Sequence, residues 1–87
     1  MKHHSHTDID RRLARAGGHI EAVRRMIAEE RNCTEVLQQI KAVISALENA
    51  RRIVATDHIQ HCISDAIDKR QTKTAIEEVQ LVLSNIW

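Results

Sequence analysis

Cys33, His58 and Cys62 supply two thiols and an imidazole, a donor set that selects soft metal ions over hard ones. His58 and Cys62 are four positions apart in a stretch free of Gly and Pro, so a helix places them on one face about one turn apart. They form a usable bidentate pair. Cys33 lies 25 residues before His58, and on one continuous helix that separation is roughly 38 Å. The spacing therefore predicts that Cys33 meets the His58/Cys62 pair of a second chain, in an antiparallel dimer with two equivalent sites. The alternative is that both cysteines are small buried hydrophobes.

The elements that must position these residues are helices. Between residues 34 and 67, Val36, Ile40, Val43, Leu47, Ala50 and Val54 recur in alternating steps of four and three, with Leu37, Ile44 and Ile53 widening the stripe. Asn32 or Thr34 can cap this long helix, and the polar cluster from Asp68 to Thr72 ends it. An earlier helix is predicted over residues 8 to 30, with Thr7 as its cap and Ile9, Leu13, Ala16, Ile20, Val23 and Ile27 as its seam. Gly17 and Gly18 interrupt that seam at a cost of roughly 1 kcal/mol each against Ala, which a close helix–helix approach or a local bend would compensate. A third helix, over residues 73 to 86, carries Ile76, Val79, Leu83 and Ile86. It packs on the dimer or joins a second one.

Composition fits an all-α chain that completes its core by association. The 87 residues include no Pro, Phe or Tyr, one Trp and 43% hydrophobic residues. One domain over residues 1–87 is expected, residues 1–7 forming a flexible tail. Three helices of this size give a thin core without a partner. No run approaches the ~18 apolar residues of a membrane span, and the polar N-terminus lacks the apolar stretch of a secretion signal. The chain reads as cytosolic, where thiols stay reduced and a structural disulfide is disfavoured.

Net charge is only +1, which excludes polyanion binding through bulk charge. Arg11, Arg12 and Arg15 cluster on the first helix, while Lys41, Arg51 and Arg52 punctuate the second. Repeated by symmetry, these clusters could track the phosphates of a duplex; read singly, they are solvated helix faces with ordinary ion pairs. There is no helix-turn-helix or zinc-finger spacing, and no nucleophile with its base, phosphate loop or paired-carboxylate signal. An enzyme is not expected.

The chain resembles the CsoR/RcnR-type metal-sensing transcriptional repressors over nearly its whole length. The resemblance rests on His4-Ser5-His6-Thr7-Asp8, on Gly17-Gly18-His19-Ile20, on Cys33-Thr34-Glu35-Val36-Leu37-Gln38-Gln39-Ile40, and above all on Asp57-His58-Ile59-Gln60-His61-Cys62. It implies a three-helix protomer with a long central helix, assembling as an antiparallel dimer and then a dimer of dimers. It implies a repressor that binds operator DNA without metal, through Arg11, Arg12, Arg15, Lys41, Arg51 and Arg52, and releases it on induction.

Within that family the ligand set is similar to the copper(I) branch, in which Cys33 of one chain joins His58 and Cys62 of another. Glu78 then stands where copper sensors carry a Glu that supports the ligand His. Asn32 departs from the Tyr often found before the first Cys. Nickel- and cobalt-sensing relatives recruit an N-terminal His, so His3, His4 and His6, with His61, are possible extra ligands for Ni(II), Co(II) or Zn(II). Other relatives sense persulfide through the two cysteines, or formaldehyde through the equivalent of Cys33 and an N-terminal amine, with no metal at all; Arg31 or His58 would favour the reactive thiolate there. Outside the repressor class, the rival reading is a structural or chaperone-like metal-binding helical oligomer.

Overall fold

The computed structural model describes residues 6–86, the side chain of Ile86 excepted. Three helices follow one another, α1 (His6–Ala28), α2 (Cys33–Lys69) and α3 (Thr72–Ile86), with no strand among the described residues. The all-α expectation holds. The boundaries lie within two residues of the predicted ones, and local hydrogen bonding explains where the interior ones fall.

Asn32 is the cap of α2, not Thr34. Its Oδ1 accepts the Thr34 N–H at 2.8 Å, and its carbonyl accepts the Val36 N–H, so Cys33 becomes the first helical residue. Both interior helix ends turn through a residue in the left-handed region, Glu30 (φ 56) and Arg70 (φ 55). After α1 the Arg31 N–H returns to the Met26 carbonyl at 2.9 Å, and after α2 the Gln71 N–H returns to the Ala66 carbonyl at 3.2 Å. These are Schellman closures made without glycine, each carrying a steric cost of roughly 1–2 kcal/mol.

The described chain forms two compact units, one comprising Thr7–Ala50 and the other taking in the chain from Arg51 onward. In the first, α1 folds back on the start of α2. Ile9, Ala16 and Val23 are buried on α1, and Val43 and Ala50 on α2, each set stepping by seven. The other half of each predicted seam faces outward. Leu13, Ile20 and Ile27 on α1, and Leu37, Ile40, Ile44 and Leu47 on α2, are all exposed. A short helical hairpin has room to bury only one side of such a stripe.

In the second unit, the rest of α2 folds against α3. Ala55, Asp57 and Cys62 are buried, while Ile63, Ile67, Ile76, Leu81 and Leu83 remain exposed. Ile63, Ile67, Ile76 and Val79 line an apolar groove of ≈ 420 Å³. No described large side chain is fully buried. The core is thin in both units, as composition predicts.

Gly17 and Gly18 do not mark a close approach within the chain. A Cβ built on either would meet nothing within 4 Å, so their helix cost stands uncompensated here. Gly17→Ala should therefore raise thermal stability by about 1 kcal/mol, the helix-propensity difference, while Asn32→Ala should lower it by about 1 kcal/mol through the lost cap. Thermal melts followed by circular dichroism measure both. A destabilised Gly17→Ala protein would place another chain against this face.

Candidate metal centre

The four-residue spacing of His58 and Cys62 lies wholly inside α2, as the sequence requires. Cys62 is buried with 8% of its surface exposed, and His58 is partly buried, its side chain 20% exposed. Across from them, α3 brings Glu78 to His58: the Nε2–H donates to Glu78 Oε1 at 2.9 Å. A carboxylate oxygen only accepts, so in this contact the proton sits on Nε2. That is the arrangement a metal-binding imidazole needs, with its outer nitrogen anchored to a carboxylate.

A cavity of ≈ 210 Å³ opens beside the thiol, lined by Cys62, Asp65, Gln71, Thr74 and Glu78 among others. Burial, and then the negative charges of Glu78 and Asp65, push the Cys62 thiol up from its usual acidity. Cys62 is thus held as a thiol at neutral pH, and a soft ion entering the site must displace its proton. Asp65 was not foreseen as a member of this cluster. Its position three residues after Cys62 on a helix was the available signal.

Cys33 belongs to the other unit and is exposed. It opens α2 at the edge of a mostly apolar cavity formed with Ile27, Val36 and Leu37, where Arg31 and Glu30 also line the wall. Arg31, expected to support a thiolate at Cys33, directs its guanidinium to Glu35 instead, at 3.1 Å. Among the described residues no group of three or more His, Cys, Asp or Glu side chains is placed to hold a metal ion. One chain brings together the pair and its carboxylate; Cys33 is not with them.

The remaining predicted positions among the described residues lie elsewhere on α1 and α2, and His6 falls in the same compact unit as His58 and Cys62. His6 is the exposed first residue of α1, and His61 is partly buried on α2. His3 and His4 lie outside the described residues. Arg11, Arg12, Arg15, Lys41, Arg51 and Arg52 are all exposed, and Arg12 is bound by Asp8 at 3.0 Å.

The described residues form a small all-helical fold, and comparison with known proteins places the chain in a family. The chain belongs to the metal-sensitive transcriptional repressor family, whose model matches residues 5–85. It is 35% identical over 71 residues to the copper-sensing transcriptional repressor CsoR of Bacillus subtilis (strain 168), covering 82% of this chain and 70% of that protein. It is 37% identical over 68 residues to CsoR of Mycobacterium bovis (strain BCG / Pasteur 1173P2), covering 78% of this chain. The match spans only 57% of that mycobacterial relative. Among solved structures, the nickel-responsive transcriptional regulator InrS superposes with a TM-score of 0.89 at 32% identity, covering 100% of this chain and 98% of that one. Relatives named for copper and a neighbour named for nickel make this a metal-sensing repressor without specifying its metal.

The unequal settings of the two thiols predict unequal chemistry. At pH 7, iodoacetamide should modify exposed Cys33 at least about tenfold faster than Cys62, because the thiolate is the reacting species and burial withholds it. Glu78→Gln, which removes the nearer negative charge, should speed Cys62 alone; peptide mapping of the alkylated protein reads both. Cys62 reacting first would contradict the placement of the two groups.

Proposed function

We propose that this chain represses transcription by binding operator DNA in its metal-free form, and that Cu(I) captured by Cys33 of one chain with His58 and Cys62 of another releases it. The observation that carries this reading is the His58–Glu78 bond beside the buried Cys62 thiol: the imidazole is anchored to a carboxylate and its helix neighbour is a soft donor. Two thiolates and one imidazole suit monovalent copper. Cys33 opens the same 37-residue helix that carries the pair, and that separation supports completion of the set by a second chain. Glu78 acts as the support of His58. The outward halves of the α1 and α2 seams, Leu13, Ile20 and Ile27 with Ile40 and Leu47, are the surface for an antiparallel dimer, and the exposed apolar residues of α3 serve the assembly of a dimer of dimers.

Arg11, Arg12, Arg15, Lys41, Arg51 and Arg52 supply the phosphate contacts of this assembly. The whole chain acts as one sensing and DNA-binding domain in the cytoplasm; no helix among the described residues is long and apolar enough to cross a membrane. Induction is linkage: a metal that weakens DNA binding by some factor is itself weakened by DNA by the same factor, about 5- to 150-fold for typical couplings.

A second reading is favoured by InrS, named as a nickel-responsive regulator, and by His6, which opens α1 as an imidazole available to a larger nitrogen-rich set. Under that reading His6 joins the same three residues for Ni(II), with Co(II) or Zn(II) as related occupants.

Anisotropy of the chain's own upstream DNA, titrated with Cu(I), Ni(II) or persulfide, separates these. Cu(I) should release the DNA near one equivalent per chain, and His58→Ala should abolish the response while leaving apo binding intact. Release by Ni(II) that needs His6 would transfer the assignment to nickel, and release by persulfide alone would reject metal sensing. A chain that never binds the DNA would be a structural metal-binding oligomer.

A further inference from the structure

We propose that His19 is a positioning residue for DNA binding, fixing through Gln39 the register of α1 on α2 and so the placement of Arg11 and Arg15. The inference rests on the repressor reading above and adds to it a residue that neither touches DNA nor holds metal.

In the unit Thr7–Ala50, His19 Nε2 and Gln39 Oε1 lie 2.6 Å apart, both side chains partly buried. An amide oxygen accepts, so Nε2–H donates. The bond is set among apolar neighbours: Ala16 and Val23 are buried three and four positions away on α1, and Val43 is buried four positions beyond Gln39 on α2. Those contacts are small and repeat every seven residues. A seam of that kind tolerates a slip of one turn, about 5.4 Å, at modest cost. A directional bond with a reach of about 3 Å does not.

The second unit provides a parallel. There His58 donates to Glu78, again through Nε2 to a side-chain oxygen exactly 20 residues downstream, as His19 does to Gln39. Each hairpin carries one such histidine link between its helices. In the second unit the link orients a candidate ligand; in the first it lies on the arginine stripe. Arg11, Arg15 and His19 follow at four-residue steps, so they occupy one face of α1. Among the described residues neither Arg11 nor Arg15 is held by a carboxylate, whereas Arg12 is tied to Asp8. The two arginines therefore take their place from the helix itself, and the helix takes its register from His19.

The test uses the intact chain and a fluorescent duplex of its own upstream region, with affinity measured across a salt series. His19→Ala should weaken binding about tenfold, the scale of a lost partly buried hydrogen bond, and should flatten the salt dependence by about one phosphate contact. His19→Gln restores a donor toward Gln39 and should recover both. Gln39→Ala should reproduce the His19→Ala loss, and the double variant should lose no more than either. Simple loss of folded protein would lower the active fraction without changing the salt slope. His19→Ala binding like the parent, or His19→Gln failing as His19→Ala does, overturns the inference while the repressor reading stands. A parent chain that does not bind the duplex removes both.

Discussion

An α-helix advances about 1.5 Å per residue and returns to the same face every three to four positions, so the unbroken run of α2 from Cys33 to Lys69 decides which side chains can meet. Within one turn it joins His58 to Cys62. Over 25 residues it holds Cys33 away from them. Two settings follow from that spacing: an imidazole anchored to a carboxylate with a buried thiol one turn away, and an exposed thiol at the helix start. Asn32 contributes by beginning the helix where it does, since its cap makes Cys33 the first helical residue.

The same economy governs packing. Each hairpin buries only a few residues, Ile9, Ala16, Val23, Val43 and Ala50 in one and Ala55, Asp57 and Cys62 in the other, and leaves many large apolar side chains exposed. Burial on that scale contributes little per residue, about 25 cal/mol for each Å² of apolar surface, so the isolated chain has a weak and nonspecific seam. Two cross-helix bonds, His19 to Gln39 and His58 to Glu78, supply the direction that apolar contact lacks. The surface ion pairs Arg24 to Glu21 and Lys69 to Asp65 are exposed and add little.

Much of this was legible in the residues themselves. The helices were readable because their apolar positions repeat at three and four, and the His58/Cys62 pair because its spacing is one turn. The family resemblance placed Glu78, and the structure brings it to His58. Helix ends were harder: Glu30 and Arg70 adopt left-handed conformations usually marked by glycine, and nothing in their identity announces it. Gly17 and Gly18, which do look like markers, have open space around them. Only part of each predicted seam is buried, Ile9, Ala16 and Val23 on α1 and Val43 and Ala50 on α2, since periodicity alone does not say which positions meet their own chain. His19 lay hidden within a stretch quoted only for resemblance, because pairing across helices depends on register and register is a tertiary property.

The central claim, that the metal site is shared between chains, is tested most directly by mixing two damaged proteins. Cys33→Ala alone and the double variant His58→Ala, Cys62→Ala alone should each fail to hold Cu(I) against a competing chelator. Refolded together, they should regain tight binding, because a mixed dimer pairs the intact Cys33 of one chain with the intact His58 and Cys62 of the other, restoring one of its two sites. Mixed protein that remains as weak as its components, or a Cys33→Ala chain that binds as tightly as the parent, would contradict the shared site.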